Sequence, residues 1–225
     1  MDDIRKRAYT LLVVRVAVTR ALVLFAAAGT FAYRQAWMLL ALGLIGDGAT
    51  TGYLVRRDPE LLHRRLTPAT AETTSLQKGA QHMARVSVLA TLGISGLDRR
   101  RHWSHLSPVA MFVGCLLFAA GLTIIWLAFR ANTYASTVVT VEQTQVVAST
   151  GPYALVRHPM YTGMLLMVGG MAPALGSWWG LIGALGFGLT VVVRLQDEER
   201  FLTSNLLGYA DYRAKVRHRL APLVW

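Results

Sequence analysis

The chain has 225 residues, is 54% apolar and carries a formal net charge of +11. That length could bury a soluble core, but the apolar residues fall in runs of roughly 16 to 25, long enough to cross a hydrocarbon layer about 30 Å thick, rather than in one-sided stripes. The positive charge gathers at the ends of those runs, which excludes the single exposed basic face of a nucleic-acid binder and fits a protein oriented in a membrane.

These features describe an all-α polytopic membrane protein with five or six transmembrane helices, a C-terminal helical hairpin and a cytoplasmic tail, built as one domain over residues 1–225. Cys115 is the single cysteine, so no intrachain disulfide can form.

The first run, about 10–32, follows Arg5-Lys6-Arg7, and Ala26-Ala27-Ala28 could pass for a cleavage region, so a signal peptide is the rival reading. Arg15 and Arg20 interrupt the run and another, about 36–55, begins almost at once, which favours an uncleaved span. Asp47 lies inside this second run, where an ionisable residue is costly and is a functional candidate by default. If the hairpin turns near Arg34, Arg20 precedes the turn by 14 residues and Asp47 follows it by 13. At about 1.5 Å of rise per residue the two reach similar depth, and the favoured reading is an Arg20–Asp47 ion pair.

In the connector 56–79, Asp58, Pro59 and Glu60 are suited to start a helix as cap, first residue and dipole partner. Leu61, Leu62 and Leu66 can share a face flanked by basic residues, which suits either a helix on the anionic membrane surface or an ordinary connector helix. Spans follow at about 80–97, 106–129, 160–175 and 178–195, the last two joined through Ala172-Pro173-Ala174-Leu175-Gly176-Ser177. With the N-terminus cytoplasmic, both long connectors and the tail share that side, and only Arg34, Arg99, Arg100 and Arg101 lie opposite. On the opposite side, His102-Trp103-Ser104-His105 reads as an interfacial anchor rather than a metal site, and Trp178-Trp179 as an interface belt. The glycines of the sixth span predict close helix packing.

Polar chemistry concentrates in two stretches that border the final hairpin. The first contains Gly151-Pro152-Tyr153 and Arg157-His158-Pro159-Met160-Tyr161-Thr162-Gly163. Gly151-Pro152 marks a turn, Pro159 suits the first helical position, and the helix start offers unpaired N–H groups to an anion. Gly163 could admit a flat group close to the backbone. The second stretch contains Arg194, Glu198 and Glu199, then Tyr209 and Tyr212. Arg194 and Glu198 share a helix face, and glutamate carboxylates can accept from a diol or hold an ammonium. Taken separately, each stretch could be a capped or solvated helix end.

Together, the ordered pattern G-P-Y-x-x-x-R-H-P-x-Y-x-G, R-x-x-x-E-E and G-Y-x-x-Y-R over residues 130–219 resembles the isoprenylcysteine carboxyl methyltransferases and phospholipid methyltransferases. Asn132-Thr133-Tyr134 and Asp58-Pro59-Glu60-Leu61-Leu62 look like their bacterial members. The resemblance implies an S-adenosyl-L-methionine-dependent integral-membrane enzyme of the bacterial inner membrane. Residues 1–129 would be N-terminal spans, and 130–225 the cofactor-binding region with a cytoplasmic active site. It implies that Arg157, His158, Pro159, Tyr161 and Gly163 bind the cofactor, with Gly151 and Tyr153 close by. Glu198 and Glu199 would complete the site, and Tyr209 and Tyr212 would pack the tail over it. Arg194 would face the methyl acceptor, with Glu198 as the base if that acceptor is an amine. The partners implied are a lipophilic small-molecule substrate and membrane lipids, with no nucleic acid. A prenyl-type or other lipid carboxylate is the leading acceptor and a lipid amine the alternative. A sterol-reductase-like enzyme and a non-enzymatic membrane component are the competing classes.

Overall fold

The computed structural model describes residues 2–66, 74–135 and 145–222. All regular structure among them is helical. The helices are α1 (Asp2–Ala28), α2 (Arg34–Arg57), α3 (Pro59–Leu66), α4 (Ser75–Arg101), α5 (Pro108–Ala131), α6 (Pro159–Ala174), α7 (Leu181–Asn205) and α8 (Tyr209–Lys215), with a 3-10 turn at Gly151–Ala154. Each of the six expected spans coincides with one long helix. The connector residues 67–73 and 136–144 fall outside the described residues, as do the side chains of Arg5, Lys6, Arg7 and Leu66.

Local chemistry explains several helix starts. Asp58 Oδ1 accepts from the Leu61 amide at 2.9 Å ahead of Pro59, as a capping carboxylate should. Thr74 and Ser107 cap α4 and α5 through their hydroxyls, and Pro108 opens α5. In α3 the apolar face turns inward: Leu61 and Leu62 pack with Leu54, Phe129 and Ala135. Those two leucines are thus buried against α2, α5 and Ala135.

The packing is that of a protein with an apolar exterior. α2 (Arg34–Arg57) and α5 (Pro108–Ala131) are long and apolar enough to cross a membrane by length and composition. Val109, Phe112 and Leu116 of α5, Leu44 and Ile45 of α2, and Leu185 and Leu189 of α7 are exposed. Exposed large apolar side chains on three helices are unusual for a water-soluble monomer and suit contact with an apolar solvent. α4 shows the inversion within one helix: Gln77, Gln81, Ser87, Thr91, Ser95 and Asp98 are buried, while Met83, Val86, Leu89 and Leu97 are exposed. Its small polar residues seat the glycines of α7. A Cβ on Gly183 would meet Thr91 Oγ1 at 2.6 Å, and one on Gly186 would meet Ser87 Oγ at 3.1 Å. This small-residue packing needs no hydrophobic drive, as expected where the solvent is itself apolar.

α5 and α6 meet backbone to backbone. Gly114 pairs with Gly170 and Gly121 with Gly163, so the Cβ positions of Gly163 and Gly170 lie 2.8 Å and 2.6 Å from the carbonyl oxygens of Gly121 and Gly114. The expected Arg20–Asp47 pair is present at 2.7 Å and ties α1 to α2. At the far end, Asp98 accepts from Ser104 Oγ at 2.6 Å and Ser177 Oγ at 2.5 Å, and the Tyr33 hydroxyl donates to the Leu175 carbonyl at 2.5 Å. These bonds pin the α6–α7 turn. They also place Arg99 within 5.7 Å of the Tyr33 ring, where a cation over an aromatic face is stabilised.

Candidate functional site

α7 runs on to Asn205, ten residues past the expected end of the last span, so Arg194, Glu198 and Glu199 lie within a continuous helix rather than at a helix end. Residues one apart on a helix point about 100° apart, and here that difference gives the two glutamates opposite surroundings.

Glu198 faces a cavity of about 420 Å³ between α4, α6, α7 and the 145–148 segment. The Tyr161 hydroxyl donates to Glu198 Oε2 at 2.5 Å and accepts from Arg194 Nε at 2.9 Å. Tyr161 therefore bridges the i, i+4 pair across the α6–α7 interface. This fixes the carboxylate and the guanidinium side by side on the cavity wall. Arg157, His158 and Tyr153 also line it. Tyr209 and Tyr212 line it from α8. Gly151, at φ +58°, takes the left-handed conformation that starts the 3-10 turn and so positions Tyr153, whose carbonyl accepts from the Tyr212 hydroxyl at 2.7 Å. Asn132 Nδ2 reaches the Tyr153 hydroxyl at 3.4 Å.

Glu199 points away from that cavity into a buried cationic cluster. Its Oε1 accepts from Arg157 Nε at 2.6 Å and lies 3.3 Å from His158 Nε2, and its Oε2 accepts from Arg219 Nε at 2.9 Å. Because a carboxylate can only accept, His158 carries a proton on Nε2. Burial would raise the Glu199 carboxyl, but the His158 hydrogen bond and charge, followed by Arg219 and Arg157, override it and lower the pKa to about 2. Burial pushes the Tyr209 and Tyr212 hydroxyls well above the usual tyrosine range, so both remain protonated.

The tail carbonyls take up two amides just ahead of the α6 helix start. The Arg157 and His158 amides donate to the carbonyls of His218 and Arg219 at 2.9 Å and 3.0 Å. Arg157 Nη1 donates to the Val216 and Arg217 carbonyls, and Thr162 Oγ1 to the Leu220 carbonyl at 2.6 Å. Those two amides are thus occupied by the chain itself. Gly163 likewise admits the α5 backbone rather than a flat ligand, and Gly151, Pro159, Gly163 and Glu199 stand behind the cavity wall rather than on it.

Sequence reasoning missed Thr162, Arg219 and the α4 residues Gln77, Gln81 and Arg85. Gln77 Nε2 donates to Asp197 Oδ2 at 2.6 Å, joining α4 to α7 beside the site. A buried glutamate needs cations, which was the only available signal for Arg219. No motif marks α4.

The described residues form only helices as regular structure, expose many apolar side chains, and enclose a cavity lined both by charged residues such as Glu198 and Arg194 and by apolar ones such as Met164 and Phe187. Residues 109–209 match the family described as phospholipid methyltransferase. No curated protein matches the chain.

Proposed function

We propose that the protein transfers a methyl group from S-adenosyl-L-methionine to a lipophilic acceptor, most readily a lipid carboxylate. The observation that carries this reading is the Arg194–Tyr161–Glu198 chain on the wall of the 420 Å³ cavity, within the family segment. A volume of that size suits a ligand of a few hundred daltons.

The residues present fit the cofactor. Glu198 can accept from a ribose diol or an ammonium, and five tyrosines line the cavity and offer faces for a flat base. The Tyr209 hydroxyl is buried without a hydrogen-bond partner among the described residues. Leaving it so costs about 1–3 kcal/mol, and a ligand in the adjoining cavity can relieve that cost. When bound, the cofactor supplies an electrophilic methyl group on a sulfonium.

The protein's part is then positional. The Tyr161 hydroxyl holds Glu198 and Arg194 in fixed rotamers, and Arg194 orients an acceptor carboxylate by charge-assisted hydrogen bonds. A carboxylate is already nucleophilic, so no base is required. In-line placement and exclusion of water by Met164, Phe187 and Val191 supply the rate. With an amine acceptor, Glu198 would take the proton. On this reading the active site faces the cytoplasm, where the soluble cofactor is available; the excess of Lys and Arg in the connectors beside it supports that orientation.

The test is titration of purified protein with S-adenosylmethionine and S-adenosylhomocysteine, followed by labelled-methyl transfer to separated lipid extracts. Binding should be weakened by Glu198→Gln and by His158→Ala. Absence of binding of either compound to the parent protein would sink the proposal.

A further inference from the structure

α4 lies wholly outside the 109–209 family segment, yet it forms one side of the cavity through Gln81, Ala84 and Arg85. These positions share a helix face at i, i+3 and i+4. Contacts at both ends fix the antiparallel register of α4 against α7: Gln77 bonds to Asp197, and Ser87 and Thr91 lie against Gly183. That register sets Arg85 level with Leu189, half a turn from Phe187, and two turns from Gln77, about 12 Å along the axis. Arg85 is therefore about 7 Å beyond the level of Arg194, toward Met164 and Phe187.

Arg85 stands apart from the other cations of this region. Arg157 and Arg219 share Glu199, Arg194 holds Tyr161, and Arg20 has Asp47. Arg85 has no hydrogen bond or ion pair among the described residues, and it is exposed at the cavity rim. An unpaired guanidinium at the rim of a cavity is an open charge-assisted donor for the anion of a ligand or a lipid headgroup.

We propose that Arg85, with Gln81 beside it, recognises an anionic group on the methyl acceptor and makes α4 the specificity element of the site. This rests on the function proposed above and narrows its substrate class to anionic amphiphiles, carboxylate or phosphate. The group Arg85 reads is a second, non-reacting anion: the acceptor lies along the cavity with its reacting group at Arg194, its chain on Met164 and Phe187, and this second group within reach of Arg85. The cofactor remains at the Glu198 end.

The experiment uses the full chain in zwitterionic nanodiscs, with oleate, oleyl phosphate and oleyl alcohol as probes and S-adenosylhomocysteine as an independent report on the cofactor end. Arg85→Gln should weaken oleate or oleyl phosphate roughly tenfold or more, as expected for a lost charge-assisted hydrogen bond. Oleyl alcohol and S-adenosylhomocysteine binding should be unchanged, and Arg85→Lys should restore part of the anion affinity. Preference between the two anions identifies which headgroup is read. Equal loss for the alcohol, or no loss for either anion, would overturn the proposal. So would a change confined to stability in anionic against zwitterionic nanodiscs, since Arg85 would then only anchor to headgroups. If the parent protein binds oleate but not S-adenosylhomocysteine, the methyltransferase reading fails while the anion site stands.

Discussion

Glu199→Gln should destabilise the protein without removing a group from the cavity. The carboxylate is 4% exposed and is the shared acceptor of Arg157, His158 and Arg219. Its pKa falls from 4.5 to about 2 on folding. At about 1.36 kcal/mol per pH unit this corresponds to about 3 kcal/mol, the lower end of the range for breaking a buried ion pair. A chain of this size then melts roughly 6–12 °C lower. The amide keeps the shape but leaves two guanidinium groups without an anion. Arg157 also anchors the Val216 and Arg217 carbonyls, so the tail should loosen first. The assay is thermal unfolding of ligand-free protein in detergent, with hydrogen exchange followed at 216–220. Glu198→Gln serves as the counterpart, with a melt close to the parent's and weakened S-adenosylhomocysteine binding. If Glu199→Gln instead melts like the parent and loses binding as Glu198→Gln does, the assignment of Glu199 as a clamp behind the wall is wrong.

The same residue predicts an acid transition. Its folded pKa is depressed, so its stabilisation is complete above about pH 4.5 and is lost as pH falls toward 2. The parent's melting temperature should drop through that window, and that of Glu199→Gln should be flatter there. Gly163→Ala should cost about 1–3 kcal/mol, because its Cβ would lie 2.8 Å from the Gly121 carbonyl oxygen and from Ile125 Cγ1; the melting temperature measures it, and a parent-like value would contradict the close α5–α6 approach. In a double-mutant cycle, Arg20→Leu and Asp47→Leu should each destabilise more alone than expected from the double variant, with a coupling of about 0.5–3 kcal/mol. Additive effects would show that the pair contributes nothing.

Much of the fold was legible in the sequence because its signals are local. Apolar run lengths located all six long helices, and Asp58-Pro59 marked the start of α3 by capping chemistry. The Arg20–Asp47 pair followed from counting along one hairpin, where depth is a linear function of residue number. The site pattern also located the two stretches that meet, since Arg157, His158, Tyr161, Arg194 and Glu198 converge on one cavity.

What remained for tertiary structure was direction. Glu198 and Glu199 are chemically identical neighbours, and only the position of α6 and the tail decides which one faces the cavity and which is held by Arg157 and Arg219. Gly163 reads the same whether a ligand or a helix approaches it, and the helix that approaches is α5. The tail carbonyls that occupy the Arg157 and His158 amides come from some 60 residues away, a pairing no local pattern encodes. The role of α4 was equally hidden. In an apolar solvent the inward face carries the polar residues, so Gln81 and Arg85 gain meaning only once α7 is seen beside them.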